Sequence, residues 1–448
     1  MSDLLSDLEW RLDEPNARGL ANAVSRAFRD GVLTAGTKLP PIRTVAKQLG
    51  LSPTTVSSAW ALLARSGTIR TDGRRGTTVA DIATGGSVRY RQAMERATTF
   101  DLDLSTGVPD PELLPDLRAA VRQLTTAATP GGYLDDPVLP ELVQTLRADW
   151  PYDAEEFTVA DGAMDAISMV TQSLVRFGDR VIVEHPGFPP LTDLLVAAGA
   201  EVAGVPLDAE GMRADALTEA LTSPAAAVFL QPRAQNPTGV SMTPERAREL
   251  AAIVRETGTP IVEDDSAGYV AATPALSLGE WVPDQTVHVR SFSKSHGPDL
   301  RLAAMSGPAE TLREINGRRQ LGQGWTSRLL QRILLELLTE DRAIEQVAHA
   351  VREYRGRRAA VVNALADRGI QVQGVDGINI WVPVLDESAA IVRLASQGIG
   401  VTPGAPFAVL PNQAGHIRVT VGLVAEGHAE LADQLATAAR TGGWRGGR

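Results

Sequence analysis

The spacing of apolar residues changes character along the chain. Leu20, Ala23, Val24, Ala27 and Phe28 fall three and four apart, which is the single stripe of an amphipathic helix. After GTKLP, the segment PIRTVAKQLG opens on a proline suited to a first helical turn and stops at Gly50. Pro53 opens a further helix, PTTVSSAWALLARSG, with Val56, Trp60 and Leu63 on one face. Two short helices about a tight turn predict a helix-turn-helix, and TIRTDGRRGTTVA behind them predicts a hairpin wing with Arg74 and Arg75 at its tip. Beyond Asp101 the pattern alternates. β-prone runs EFTVA, RVIVE, AEVAGVPL, AAAVFLQP, TPIVEDD, QTVHVRSF and RLAAMSG are separated by helical stretches such as 162–176, 189–198 and 243–257. That alternation predicts an α/β body with a mostly parallel sheet. From about Leu321 long helical patterns run to about Arg368; the strands INIWVPV and HIRVTVG and a last helix near 424–440 follow, as in a smaller α+β lobe.

This reading divides the chain into a winged helix-turn-helix head at 1–81, a Gly/Ser/Thr-rich linker at 82–100 and a body at 101–448. The large lobe covers about 150–320, and the small lobe about 321–448 with part of 101–149. Charge follows the same division. Pro15–Ala80 holds ten Lys/Arg against two Asp/Glu, a net of +8, which leaves −19 on the rest of a chain whose total is −11. A basic head on an acidic body points to a polyanion as the head's partner. With no cysteine there is no disulfide or thiolate chemistry, and six histidines without helical metal spacing predict no metal site. The lack of cysteine fits a reducing, cytoplasmic setting; MSDLLSDLEW lacks the features of a signal peptide, and no apolar run has the length of a membrane span.

Candidate chemistry centres on SFSKSHGPDLR, where Lys294 is flanked by Ser291 and Arg301. Ligands of open α/β sheets gather at strand ends, and several such ends suit a phosphorylated pyridine aldehyde. The first amides of a helix after EFTVAD, those of Gly162, Ala163 and Met164, suit a phosphate, joined by the Ser291 hydroxyl and the Arg301 guanidinium. Phe188 offers a ring to stack on, Asn236 a donor to a phenolic oxygen, and Asp264 a carboxylate for a protonated pyridine nitrogen. Lys294 is the amine that forms the imine.

Two resemblances follow from these motifs. Residues 18–80, through GTKLPPIRTVAKQLGLSPTTVSSAWALL and GTTVA, resemble the winged helix-turn-helix of the GntR family of bacterial transcription regulators. By position this implies DNA contacts from Arg43, Thr54, Thr55 and Ser57, with Arg74 and Arg75 on the wing; Pro53 stands where that family usually has arginine. From Asp101 to about Gly422 the chain resembles the fold type I aminotransferases that use pyridoxal phosphate, through STGVPDPELLP, ADGAMDA, EHPGF, QNPTG, VEDD, SFSKSHGPDLR, GVTPGAPF and IRVTVG. This likeness implies Arg418 as the binder of an α-carboxylate and Tyr133 as a phosphate contact supplied to the partner subunit. The combination resembles the MocR subfamily of GntR regulators, which implies a head-to-tail homodimer that binds operator DNA and pyridoxal phosphate and answers to an amine, an amino acid or the cofactor itself. One departure stands out. The family's tyrosine shortly after the Asp of EDD is replaced by Ser266 and Ala267, with Ser266 left to contact the cofactor or Tyr269 repositioned to do so. Besides the sensor, two readings stay open: a working aminotransferase with an appended DNA-binding domain, Lys294 being its proton shuttle, and a DNA-binding scaffold with a degenerate body.

Overall fold

The computed structural model describes residues 2–12, 14–29, 32–34, 36–65, 69–72, 76–79, 100–127, 132–133, 135–411 and 414–442. The expected wing tip, Arg74 and Arg75, and nearly all of the expected linker lie outside the described residues.

The head contains helices Ser2–Glu9, Ala17–Arg29, Ile42–Gln48 and Pro53–Arg65, and the antiparallel pair β1 (Ile69–Asp72) and β2 (Gly76–Val79). Its core joins Leu20, Ala23, Val24 and Ala27 to Val45, Val56, Trp60, Leu63, Ile69 and Val79, so the helical stripes read from the sequence meet on one another. Fully burying a side chain such as Leu or Val contributes about 1.5–3 kcal/mol, enough together to hold a small domain. The first helix, which adds Leu5 and Leu8, was not among the elements expected from apolar spacing. Ser52 caps the fourth helix: its Oγ accepts from the Thr55 amide at 3.0 Å and lies 2.8 Å from the Thr55 hydroxyl.

The body begins with β3 (Leu102–Asp103). Its large sheet consists of β4 (Glu156–Ala160), β5 (Arg180–His185), β6 (Glu201–Asp208), β7 (Gly211–Met212), β8 (Ala227–Leu230), β9 (Ile261–Asp265), β10 (Thr286–Ser291) and β11 (Ala303–Gly307), in the spatial order β4-β11-β10-β9-β8-β5-β6-β7. The five neighbours β10, β9, β8, β5 and β6 are parallel, while β11 runs antiparallel to both β10 and β4. Both faces are covered, which accounts for the near-continuous apolar runs. Val181 and Val183 enter one core and Ile182 the other. Helices Ala163–Leu174, Pro189–Ala197 and Pro244–Thr257 fall on the three predicted helical stretches.

The small lobe carries β12 (Ile380–Pro383), β13 (Ile399–Gly400), β14 (Thr402–Pro403) and β15 (His416–Val419). Strands β12, β15 and β14 form one sheet, and β13 pairs with β3, so the start of the body is built into this lobe. Helix Asp341–Asp367, 27 residues long, joins the lobes: Ala343 belongs to the cluster with Val159 and Leu302 of the large lobe, Val361 and Leu365 to that with Ile380 and Ile417 of the small one. Helix Arg328–Thr339 packs with the former through Leu334 and Leu337. Among the described residues, no helix is long and apolar enough to cross a membrane.

Candidate functional site

The register of the large sheet brings one edge together. Ser291 at the end of β10 pairs with Ala303 at the start of β11, and Ala303 with Ala160 at the end of β4. Because β11 is antiparallel, Arg301 just before it arrives at the same edge as the residues that follow β4 and β10. On β10 itself, Arg290 pairs with Asp265 at the end of the neighbouring β9.

At the end of β4, Gly162 has φ +103° and precedes helix Ala163–Leu174 with no side chain capping it. A Cβ built on Gly162 would lie 3.1 Å from Arg301 Nη2, so the guanidinium stands directly over the helix start. Arg301 itself adopts φ +50° and donates to the Asp161 carbonyl at 3.3 Å. The Ser291 hydroxyl accepts from the Ser293 amide at 3.3 Å. Ala163 and Met164 occupy the helix's first turn, where amides lack intrahelical acceptors. Phe188, half-buried, precedes helix Pro189–Ala197 and packs on the cluster of Val181 and Val183.

Alternation along β9 sends its last two carboxylates to opposite faces. Asp265 meets Arg233 at 2.7 Å and Arg290 at 3.3 Å; although burial opposes ionisation, these cations hold its carboxyl far below the usual range. Asp264 faces the other way. Burial pushes it up to about 6, against the hydrogen bond from Gln231 and the nearby Lys294 amine. Its Oδ2 accepts from Gln231 Nε2 at 2.7 Å, whereas its buried Oδ1 has no hydrogen-bond partner among the described residues. Lys294 Nζ donates to the Ser266 carbonyl at 3.0 Å. Burial holds the Lys294 amine below its ordinary value, with Asp264 opposing that shift, so a larger neutral fraction is available as a nucleophile.

Gln231, at the end of β8, gathers the rest. Its Nε2 also reaches the Ser266 hydroxyl at 3.1 Å, its Oε1 accepts from the Asn236 amide at 2.7 Å, and its own amide donates to Glu184 Oε2 at 3.1 Å. Glu184 also receives Gln235 Nε2 at 3.3 Å; burial pushes its carboxyl up to about 8, leaving it mostly protonated near neutrality. Of these two buried acids, Asp264 therefore carries the charge.

The small lobe contributes Arg418 from β15, buried, which donates to Asn236 Oδ1 at 3.3 Å, to Thr402 Oγ1 at 3.1 Å and to the Ser105 carbonyl. It also sends a loop onto the end of β5. His185 Nδ1 accepts from the Val409 and Leu410 amides, each at 3.2 Å, and Gly187 N donates to the Phe407 carbonyl at 2.9 Å.

Two tyrosines lie elsewhere. Tyr269 stacks on Phe292 at 6.1 Å beneath the Arg290 guanidinium, within the large-lobe core, while Ser266 stays beside Gln231 and Lys294. Tyr133 is 90 % exposed and meets Trp325 edge-on at 6.0 Å. In the head, Arg43, Thr54 and Ser57 are exposed; Thr55 is half-buried, its hydroxyl shared with the Ser52 cap.

Comparison with known proteins agrees with this architecture. Residues 101–435 match the family described as aminotransferase class I and II, and residues 16–79 the bacterial regulatory proteins of the gntR family. Over 420 residues, 92 % of this chain and 95 % of the relative, it is 32 % identical to the vitamin B6 salvage pathway transcriptional repressor PtsJ of Salmonella typhimurium. The chain is a MocR-type regulator. This MocR-type regulator is also 27 % identical to the pyridoxine biosynthesis transcriptional regulator PdxR of Corynebacterium glutamicum, over 89 % of this chain and 91 % of that one. Its fold is shared with LysN, the alpha-aminoadipate aminotransferase of Thermus thermophilus, at TM-score 0.70 and 24 % identity, over 80 % of this chain and 95 % of that one. Gln231, Glu184 and His185 join the candidate site although the sequence assigned none of them a role, Glu184 and His185 passing only as part of EHPGF. Their signal lay in position alone, since each closes a β-run at the edge where the other residues gather.

Proposed function

We propose that this regulator binds pyridoxal phosphate through Lys294 and that the cofactor is the signal its DNA-binding head answers to. The observation that carries the reading is the buried, unpartnered Asp264 Oδ1 in the same network as the depressed Lys294 amine. A buried acceptor without a donor costs about 1–3 kcal/mol, a cost that a protonated pyridine nitrogen would remove. Support for the phosphate end comes from Gly162, where only a missing Cβ leaves space beneath Arg301. When bound, the cofactor would supply an aldehyde for the amine and an electron-withdrawing ring.

The remaining roles belong to the chain's own groups. Amides of Gly162, Ala163 and Met164, with Ser291 and Arg301, hold the phosphate; Phe188 covers the ring; Asn236 and Ser266 serve the phenolic oxygen. Tyr133, standing out from the surface, reaches the partner's phosphate in a head-to-tail homodimer. Arg43, Thr54, Thr55, Ser57, Arg74 and Arg75 contact operator DNA. The vitamin B6 names of PtsJ and PdxR favour the cofactor as effector. An amino acid is the second reading, favoured by Arg418, whose buried guanidinium touches Asn236.

The test is an absorption spectrum of the purified full chain and of Lys294→Ala, each with added pyridoxal phosphate, paired with operator binding. A visible band in the wild type alone, with operator affinity that responds to the cofactor only in the wild type, is expected. A wild type that shows no band after cofactor addition refutes the reading.

A further inference from the structure

Gln231 reaches four residues of the candidate site, and its backbone N–H and both ends of its side-chain amide are engaged. The residue is 4 % exposed. The orientation of its amide is fixed by its neighbours: the oxygen faces the Asn236 N–H, so the nitrogen must face the Asp264 carboxylate and the Ser266 hydroxyl. The flipped amide would set oxygen against carboxylate and N–H against N–H. One planar group therefore joins three segments, the loop after β8, the end of β9 and the turn beyond it.

We propose that Gln231 is a positioning residue: it engages Asp264 Oδ2 so that Oδ1 is left to the pyridine nitrogen, and through the same amide it fixes Asn236 and Ser266 at the phenolic oxygen. The inference rests on the pyridoxal phosphate reading and adds to it the device that couples the two polar sites of the ring. A carboxylate held by one donor on one oxygen is both oriented and kept ionised, since hydrogen bonding to the charged form favours it. The charged and titratable groups that act on Asp264 are Lys294 beyond β10, Asp265 on its own strand and His288 on β10, both across the sheet, and Glu184 on β5. None of these occupies the Gln231 contact on Oδ2. Without the amide, Asp264 binds a proton more readily and the ring nitrogen loses its ionic partner. A less positive ring repels a proton on the neighbouring lysine-linked nitrogen less, so the pH at which the visible band titrates rises.

The variants are Gln231→Glu, which keeps the acceptor for the Asn236 amide and replaces the donor, and Gln231→Met, which keeps only the length. Both are made in the full chain and titrated with pyridoxal phosphate, and the visible band is then followed against pH. The expectation is a rise in the band's midpoint of about one pH unit in both variants, with cofactor affinity weakened about tenfold, as for loss of a hydrogen bond to a charged group. A midpoint unchanged in a variant that still gains the band overturns the positioning role, even if affinity or thermal stability falls, because packing alone does not move that midpoint. If Gln231→Met does not fold, Gln231→Glu decides by the same criterion. A wild type without any band instead removes the cofactor reading, and this inference with it.

Discussion

Replacing Glu184 with glutamine tests whether the structure assigns the right charge to the floor of the site. Glu184 is 4 % exposed, accepts from the Gln231 amide and Gln235 Nε2, and burial raises its carboxyl from 4.5 to about 8. Between those two values the folded protein keeps a proton that the unfolded chain releases. Folding then takes up a proton, so stability is highest below the unfolded value and falls as pH rises, by about 1.4 kcal/mol per pH unit. The whole loss approaches about 5 kcal/mol, and about 3 kcal/mol of it falls between roughly pH 5.5 and pH 7.5. Glutamine presents the same acceptor oxygen and does not titrate. Glu184→Gln should therefore be close to the wild type in acid and progressively more stable above it. Urea unfolding of the full chain at several pH values, with cofactor concentration held constant, measures the gap. A gap that stays constant from acid to pH 8 would refute the reasoning, because it would mean that Glu184 is ionised in the folded protein.

Gly162→Ala forces a side chain into φ +103° and brings its Cβ to 3.1 Å from Arg301 Nη2; strain of about 1–2 kcal/mol and a displaced guanidinium should weaken cofactor binding at least about tenfold, read by absorbance titration, and an unchanged affinity would count against the phosphate cradle. Ser52→Ala removes the acceptor for the Thr55 amide, which should cost about 1 kcal/mol and speed hydrogen exchange in the first turn of Pro53–Arg65 roughly fivefold; unchanged exchange would deny the cap. Arg43→Ala, at an exposed position of the head, should reduce the log–log salt slope of operator affinity by about 0.9 if the guanidinium neutralises one phosphate. An identical slope would place Arg43 off the DNA.

Much of this was legible because local pattern and tertiary role coincide. Apolar stripes in the head become its core, and the β-runs of the body become the strands of the large sheet. Lys294 and Asp264 stand out in sequence because chemistry of that kind sits at strand ends. What escaped depends on contacts between distant segments. The pairing of β3 with β13 joins residues nearly three hundred positions apart, and two-residue strands leave no period to detect. His185 reads as one more residue before a proline until the Val409 and Leu410 amides arrive from the other lobe. Tyr269 shows the opposite limit. Its nearness in sequence to Asp264 left it a candidate for the ring, but the Gly268 turn and the attraction of Phe292, His296 and Arg290 direct its ring into the large-lobe core. Side-chain direction after a turn is decided by packing, which a one-dimensional pattern does not contain.

Helix Asp341–Asp367 gives the two lobes a mechanical relation. With 27 residues it is about 40 Å long, and a rod of that length tilted by about 5° about one end carries the other through about 3–4 Å. One end is clamped in the large-lobe core by Ala343, the other in the small-lobe core by Val361 and Leu365. Close-packed clusters transmit a shift of that size instead of absorbing it. A change of a few tenths of an ångström near the fulcrum is thus multiplied with distance, and the lever ratio is written into the number of turns between the two clamps.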